Sequence, residues 1–172
     1  EIVMKLIVSI ILPAVLFGTV CFGADWPVWR GAGGDGISTE TNVPVKWSAG
    51  ENIAWKTPIP GKGHSSPIVS SGQVFVTSAG KDDSRLLLSL DAKTGKVLWT
   101  KTVLKAPPEK INYLNSLASS TAAADGKHVW VTFLNVEEML VVCYDFAGKE
   151  VWRRTPGRFT AKHGYCASLL LY

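Results

Sequence analysis

The chain has 172 residues, 47% of them hydrophobic and 19% charged, with a formal net charge of +4. That composition excludes a disordered or collagen-like chain, and the length suits one ordinary domain. The charges are scattered along the chain, so they give no footprint for nucleic acid.

Residues 1–24 read as a secretory signal peptide. Lys5 precedes an apolar run from Leu6 to Phe17, and small residues follow near Gly23 and Ala24. Pro13 and Gly18 argue against a spanning helix, so no transmembrane span is expected after cleavage. Lipidation at Cys21 is the rival outcome, but Gly18-Thr19-Val20 is a poor lipidation signal. Met4 reads as the start, and the stop at Tyr172 falls inside a strand pattern, so the expectation is a piece of a longer reading frame.

Residues 25–51 read as an irregular lead-in. Gly31-Ala-Gly33-Gly34-Asp-Gly36 fits the spacing of a dinucleotide loop, but no strand precedes it and no helix pattern follows. Strand signals begin at Asn52. A first unit, about 65–103, contains Pro67-Ile-Val-Ser, Gln73-Val-Phe-Val-Thr, Leu86-Leu-Leu-Ser-Leu and Lys96-Val-Leu-Trp-Thr. A second, about 118–154, contains Thr121-Ala-Ala-Ala, His128-Val-Trp-Val-Thr-Phe, Leu140-Val-Val-Cys-Tyr and Glu150-Val-Trp-Arg-Arg. A third begins about residue 166 with a first strand over 167–172.

The units repeat. Asp91-Ala-Lys-Thr-Gly95-Lys-Val-Leu-Trp99 is echoed by Asp145-Phe-Ala-Gly148-Lys-Glu-Val-Trp152, and Asn52-Ile-Ala-Trp55 carries the tail of the pattern. Gly72 and Gly126 stand 54 residues apart, Trp99 and Trp152 53. Repeated units of four short antiparallel strands predict an all-β fold, a fragment of a β-propeller. About two blades are expected, plus the start of a third and a closing strand at Trp55. Asp and Gly close the turn between third and fourth strands, and each Trp packs against a neighbouring sheet. Trp55, Trp99, Trp152, Gly95 and Gly148 are therefore structural, blade-docking residues.

The loops before each first strand converge at one mouth of the funnel. They are Gly61-Lys-Gly-His64, Asn112-Tyr-Leu-Asn115-Ser116 and Lys162-His163-Gly-Tyr165. His64, Asn115, His163 and Tyr165 are the candidate ligand-binding residues. His64-Ser65-Ser66 lacks a nucleophile elbow, and Asp82-Asp83 and Glu137-Glu138 read as solvated turn charges. The basic cluster Arg153, Arg154, Arg158 and Lys162 reads as a solvated strand end. Cys143 and Cys166 are expected as two buried thiols rather than a disulfide. No catalytic residue and no metal ligand is assigned.

These motifs resemble the pyrroloquinoline-quinone-like β-propeller repeat proteins. The closest likeness is to secreted members with an N-terminal Trp-Arg-Gly signature, here Trp26-Pro-Val-Trp29-Arg30-Gly31. The resemblance covers about 25–172 and implies rings of seven or eight blades. The same repeat occurs in quinoprotein dehydrogenases and in the lipoprotein of the outer-membrane barrel-assembly machinery. In the dehydrogenases a quinone sits on the funnel axis beside calcium, often against adjacent cysteines, and this chain has no Cys-Cys pair. The expected function is thus an extracytoplasmic, periplasmic or secreted scaffold that binds a protein, small molecule or glycan. The alternatives are a quinoprotein oxidoreductase, with pyrroloquinoline quinone and calcium held by further blades, and an outer-membrane assembly scaffold.

Overall fold

The computed structural model describes residues 23–172. The expected signal peptide, save its last two residues, Met4 and the lipidation candidate Cys21 lie outside these.

Eight strands form two four-stranded antiparallel sheets, each a meander in chain order. In the first are β1 (Ile68–Ser70), β2 (Gln73–Ala79), β3 (Ser84–Asp91) and β4 (Val97–Lys105). The second contains β5 (Ala123–Ala124), β6 (His128–Asn135), β7 (Glu138–Asp145) and β8 (Glu150–Arg158). No helix is formed among the described residues. The chain is all-β, and its sheets are propeller-like blades that do not close a ring.

Local chemistry sets the turns. Ser71 and Gly72 link β1 to β2 with φ values of 47° and 77°, the two positive angles a two-residue hairpin requires. Between β3 and β4 the Asp91 carboxylate accepts from the Thr94 amide at 2.7 Å. Between β7 and β8 Asp145 accepts from the Lys149 amide at 2.8 Å. Gly95 and Gly148 complete these turns at φ 70° and 80°.

Period-two alternation sends β3 to two cores. Leu87, with Phe75 of β2, faces the second sheet and meets Val129, Val131, Phe133 and Val142. Leu86, Leu88 and Leu90 face the other way, where Trp55 and Ile59 cover them. Both faces are covered, which is why Arg85 to Leu90 read as an almost unbroken buried run.

Arg85 is wholly buried within that run. It donates to the carbonyls of Asp83 (2.7 Å), Ala106 (3.1 Å) and Pro107 (3.4 Å), and pairs with Glu109 at 3.0 Å. One side chain thereby fastens the crossover from β4 to β5 onto the first sheet. Its Nε is buried without a partner among the described residues.

The structure corrects one local expectation, on the cysteines. The segment around Trp55 and residues 167–172, expected as strands of blades whose other strands lie beyond this stretch, pair with no strand among the described residues. A strand needs a neighbour for its ladder, and none among the described residues lies beside either segment. Cys143 is buried and Cys166 is exposed, both as free thiols. Cys143 points into the second sheet's packing, whereas Cys166 lies in an open loop.

Candidate functional site

Two of the three repeated tryptophans reach across to a turn. Trp55 donates its indole N–H to the Ala92 carbonyl at 2.9 Å, and Trp99 donates to the Phe146 carbonyl at 2.9 Å. Ala92 and Phe146 each follow the turn aspartate. A Cβ on Gly95 would lie 2.5 Å from Trp55 ring atoms, and one on Gly148 would lie 2.9 Å from the Trp99 ring. Both turns therefore need glycine twice over, for φ and for the close approach of the indole. Trp152 sits opposite Cys143 on β8, and its ring nitrogen donates to no acceptor among the described residues.

The inner strands meet at the other end of the blades. The His64 and Ser65 amides both donate to the Ala118 carbonyl, at 3.0 and 3.2 Å. The Ser66 amide donates to Thr121 Oγ1 at 3.0 Å, and Thr77 Oγ1 donates to the Ser120 carbonyl at 3.3 Å. These bonds lock the loop before β1 to the loop before β5. Of the repeated serines, Ser65 also bonds backbone through its hydroxyl, which accepts from the Thr77 amide at 3.3 Å, whereas Ser120 Oγ is buried without a partner among the described residues.

Around this seam lies a pocket of about 460 Å³. His64 comes from the loop before β1. Leu114, Asn115, Ser119 and Thr121 come from the loop before β5, Cys166 and Ser168 from the C-terminal segment, and Trp29 from the lead-in. His64 and Asn115, both expected at the mouth, share this pocket. Asn115 is spent on the framework. Its Nδ2 donates to the His163 carbonyl at 2.8 Å, and its Oδ1 accepts from the Ser116 amide at 2.8 Å and from the Ser119 hydroxyl.

His163 and Tyr165 do not join the lining. His163 contributes its carbonyl, which also accepts from the Asn112 amide at 3.2 Å. Tyr165 is buried, with its hydroxyl 2.9 Å from Thr132 Oγ1 and its ring edge-on to Phe159 at 5.3 Å. It packs the outward face of the second sheet. Between them, Gly164 lets the loops touch, since a Cβ there would lie 2.8 Å from Asn115 Nδ2 and Ile111 Cγ2. From the same segment, Cys166 and Ser168 line the pocket.

The lead-in is an unforeseen contributor. The Trp26 amide and carbonyl pair with Val69 at 2.8 and 3.0 Å, and the Pro27 carbonyl accepts from the Ala124 amide at 2.9 Å. The Asp25 carboxylate accepts from the Ser71 amide at 3.0 and 3.1 Å. Residues 25–27 therefore strap β1 to β5 along their open edges. The only hint in the sequence was that a Trp-rich motif stood outside the repeat.

Two of the four residues of the basic cluster are paired with carboxylates. Arg153 pairs with Glu150 at 2.7 Å, and Arg158 pairs with Glu137. The hydrogen bonds from Arg153 hold the Glu150 carboxyl below its usual range.

The pocket lining carries no carboxylate, lysine or arginine. No group of three His, Cys, Asp or Glu able to hold a metal occurs among the described residues. The residues present thus do not fit a polyanionic quinone with its calcium, which needs cationic and acidic partners.

A search of curated proteins finds no match. Among solved structures, a europium-containing methanol dehydrogenase is 23% identical, with a TM-score of 0.47. The match covers 60% of this chain and 19% of that one, so the chain spans about a fifth of the dehydrogenase's length. A family profile described as outer membrane protein assembly factor BamB matches residues 36–155. By that match, and by the Asp-to-Trp repeats on which it falls, the chain belongs to the BamB-type family of pyrroloquinoline-quinone-like repeat proteins.

Proposed function

We propose that this chain works outside the cytoplasm as a binding module, with its ligand in the pocket where the inner strands meet. The carrying observation is convergence: the lead-in, both loops before the inner strands and the C-terminal segment all contribute side chains to one pocket of about 460 Å³. That volume lies in the range of small-molecule sites. The backbone bonds across the seam make the pocket largely preformed, which lowers the ordering cost of binding. An extracytoplasmic setting rests on the leader-like residues 1–24. No helix among the described residues is long and apolar enough to cross a membrane. The tryptophans that reach from one unit to the next turn serve as docking residues between blades.

Ser168 is exposed and lines the pocket, so Ser168→Trp would fill it at little cost to the fold. A panel of saccharides, aromatics and carboxylates is screened by ligand-observed NMR against both proteins. The expected result is a ligand bound by the natural protein and lost in Ser168→Trp; a panel with no such ligand would refute the reading. Dye-linked dehydrogenase activity on adding quinone and calcium would favour the oxidoreductase instead.

The family match favours a second reading, a scaffold in outer-membrane protein assembly. There the partner is a protein, and the docking surface is the blade rims rather than the pocket. Binding to a purified assembly-machinery component that survives Ser168→Trp would support it.

A further inference from the structure

The Trp26–Gly31 motif is tied down at several points, yet Trp29 is not used for packing. The strap fixes the backbone just before it, and the Gly31 amide donates to the Val28 carbonyl at 2.9 Å just after it. The Arg30 guanidinium lies over the Trp29 ring, 4.8 Å from its centroid. The residue is nevertheless 51% exposed and lines the pocket. A large indole held in place and left open to a pocket is a contact surface awaiting a partner.

The remaining lining divides in two. Asn115, Ser119 and Thr121 are committed to the framework. The His64 ring and the Ser168 hydroxyl make no hydrogen bond among the described residues and face solvent. Leu114 and the exposed thiol of Cys166 complete the lining, so the groups on offer are an aromatic face, an aliphatic side chain and hydrogen-bonding groups, with no lysine, arginine or carboxylate among them. An anionic ligand would meet no cation in the lining itself, the Arg30 guanidinium being already stacked on the Trp29 ring, and a purely apolar one would strip water from polar groups without replacing it.

On the reading of this pocket as a binding site, we propose that its ligand is a neutral saccharide. The C–H face of a pyranose ring stacks on Trp29, and its hydroxyls meet His64 and Ser168. A sugar offers both surfaces at once, an apolar face and a rim of neutral donors and acceptors.

The test is titration calorimetry of the full chain with cellotetraose, laminaritetraose, maltotetraose and chitotetraose. Trp29→Ala, Trp29→Phe and Ser168→Trp are measured in parallel, with circular dichroism confirming the fold. The expected result is binding of at least one tetrasaccharide, weakened at least tenfold by Trp29→Ala and by Ser168→Trp, and largely kept by Trp29→Phe. Saccharide binding unchanged in Trp29→Ala would overturn the stacking role. If no saccharide binds while another compound does, in a manner lost in Ser168→Trp, the saccharide assignment fails and the pocket reading stands. If Ser168→Trp abolishes no binding of any compound, both fail.

Discussion

Gly95 offers a direct test of how the first blade is held. Its φ of 70° costs an alanine about 1 kcal/mol. An added Cβ would also lie 2.5 Å from Cδ2 and Cε3 of Trp55, too close for the indole to remain. Moving the ring breaks the 2.9 Å bond to Ala92, a loss of about 1 kcal/mol. It also uncovers Leu86, Leu88 and Leu90, worth about 1 kcal/mol more at ordinary apolar coefficients. Gly95→Ala should therefore destabilise by about 3 kcal/mol in urea unfolding. In a Trp55→Ala background the φ cost and a 2.8 Å approach to Thr57 Oγ1 remain, and these are common to both backgrounds, so the coupling is about 2 kcal/mol. Equilibrium unfolding of the four proteins closes this cycle. Costs that add within about 0.5 kcal/mol would show that the indole does not rest on the glycine.

Glu109→Gln leaves the Arg85 charge buried without its counterion, so unfolding free energy should fall by about 3 kcal/mol; a loss under about 1 kcal/mol would mean the three carbonyls suffice. Acid should weaken the fold through its turn carboxylates. Bonds from Ser84 and then Lys105 lower Asp82 to about 2, and Thr94 lowers Asp91. Burial raises Asp125, but the amides of His128 and Lys127 outweigh it. All three are depressed in the fold, so their contribution is complete above the unfolded value near pH 4 and is lost as pH falls through the folded values. The urea midpoint should hold from pH 7 to 5 and drop toward pH 2, and Asp82→Asn should flatten that drop. Native protein should react with one equivalent of a thiol reagent at Cys166, while Cys143, buried and with its thiol pushed up by burial, reacts only on unfolding. Two fast thiols would contradict the packing of Cys143.

The blades were legible because their signals are local. An aspartate, a positive-φ glycine and a tryptophan lie within nine residues, so turn chemistry and strand alternation identify them without distant contacts. The unread features depend on remote partners. Arg85 hides in a leucine run because its acceptor Glu109 lies in the next crossover. Tyr165 reads as a loop residue until its segment folds onto Thr132. The lead-in reads as coil because its ladder partner, Val69, belongs to the first blade. Trp55 shows the converse: its side chain behaves as the repeat predicts, although its backbone has no strand to pair with.

Fold and site also differ in how much change they tolerate. The turns at Gly95 and Gly148 admit no side chain, since both φ and the indole forbid one. His64, Cys166 and Ser168 are exposed, and no hydrogen bond of the framework runs through their side chains among the described residues. Changes at such positions cost within about 0.5 kcal/mol, against the ~3 kcal/mol worked out above for Gly95. A repeat of this kind can thus keep its tryptophans and glycines while the mouth is rewritten, so the motif that identifies the family says little about the ligand. Trp29 is the exception: it stands at the mouth but is carried by the strap that ties β1 to β5. A change in the strap would move the pocket wall and loosen the seam together, which couples ligand binding to the stability of the two-sheet unit.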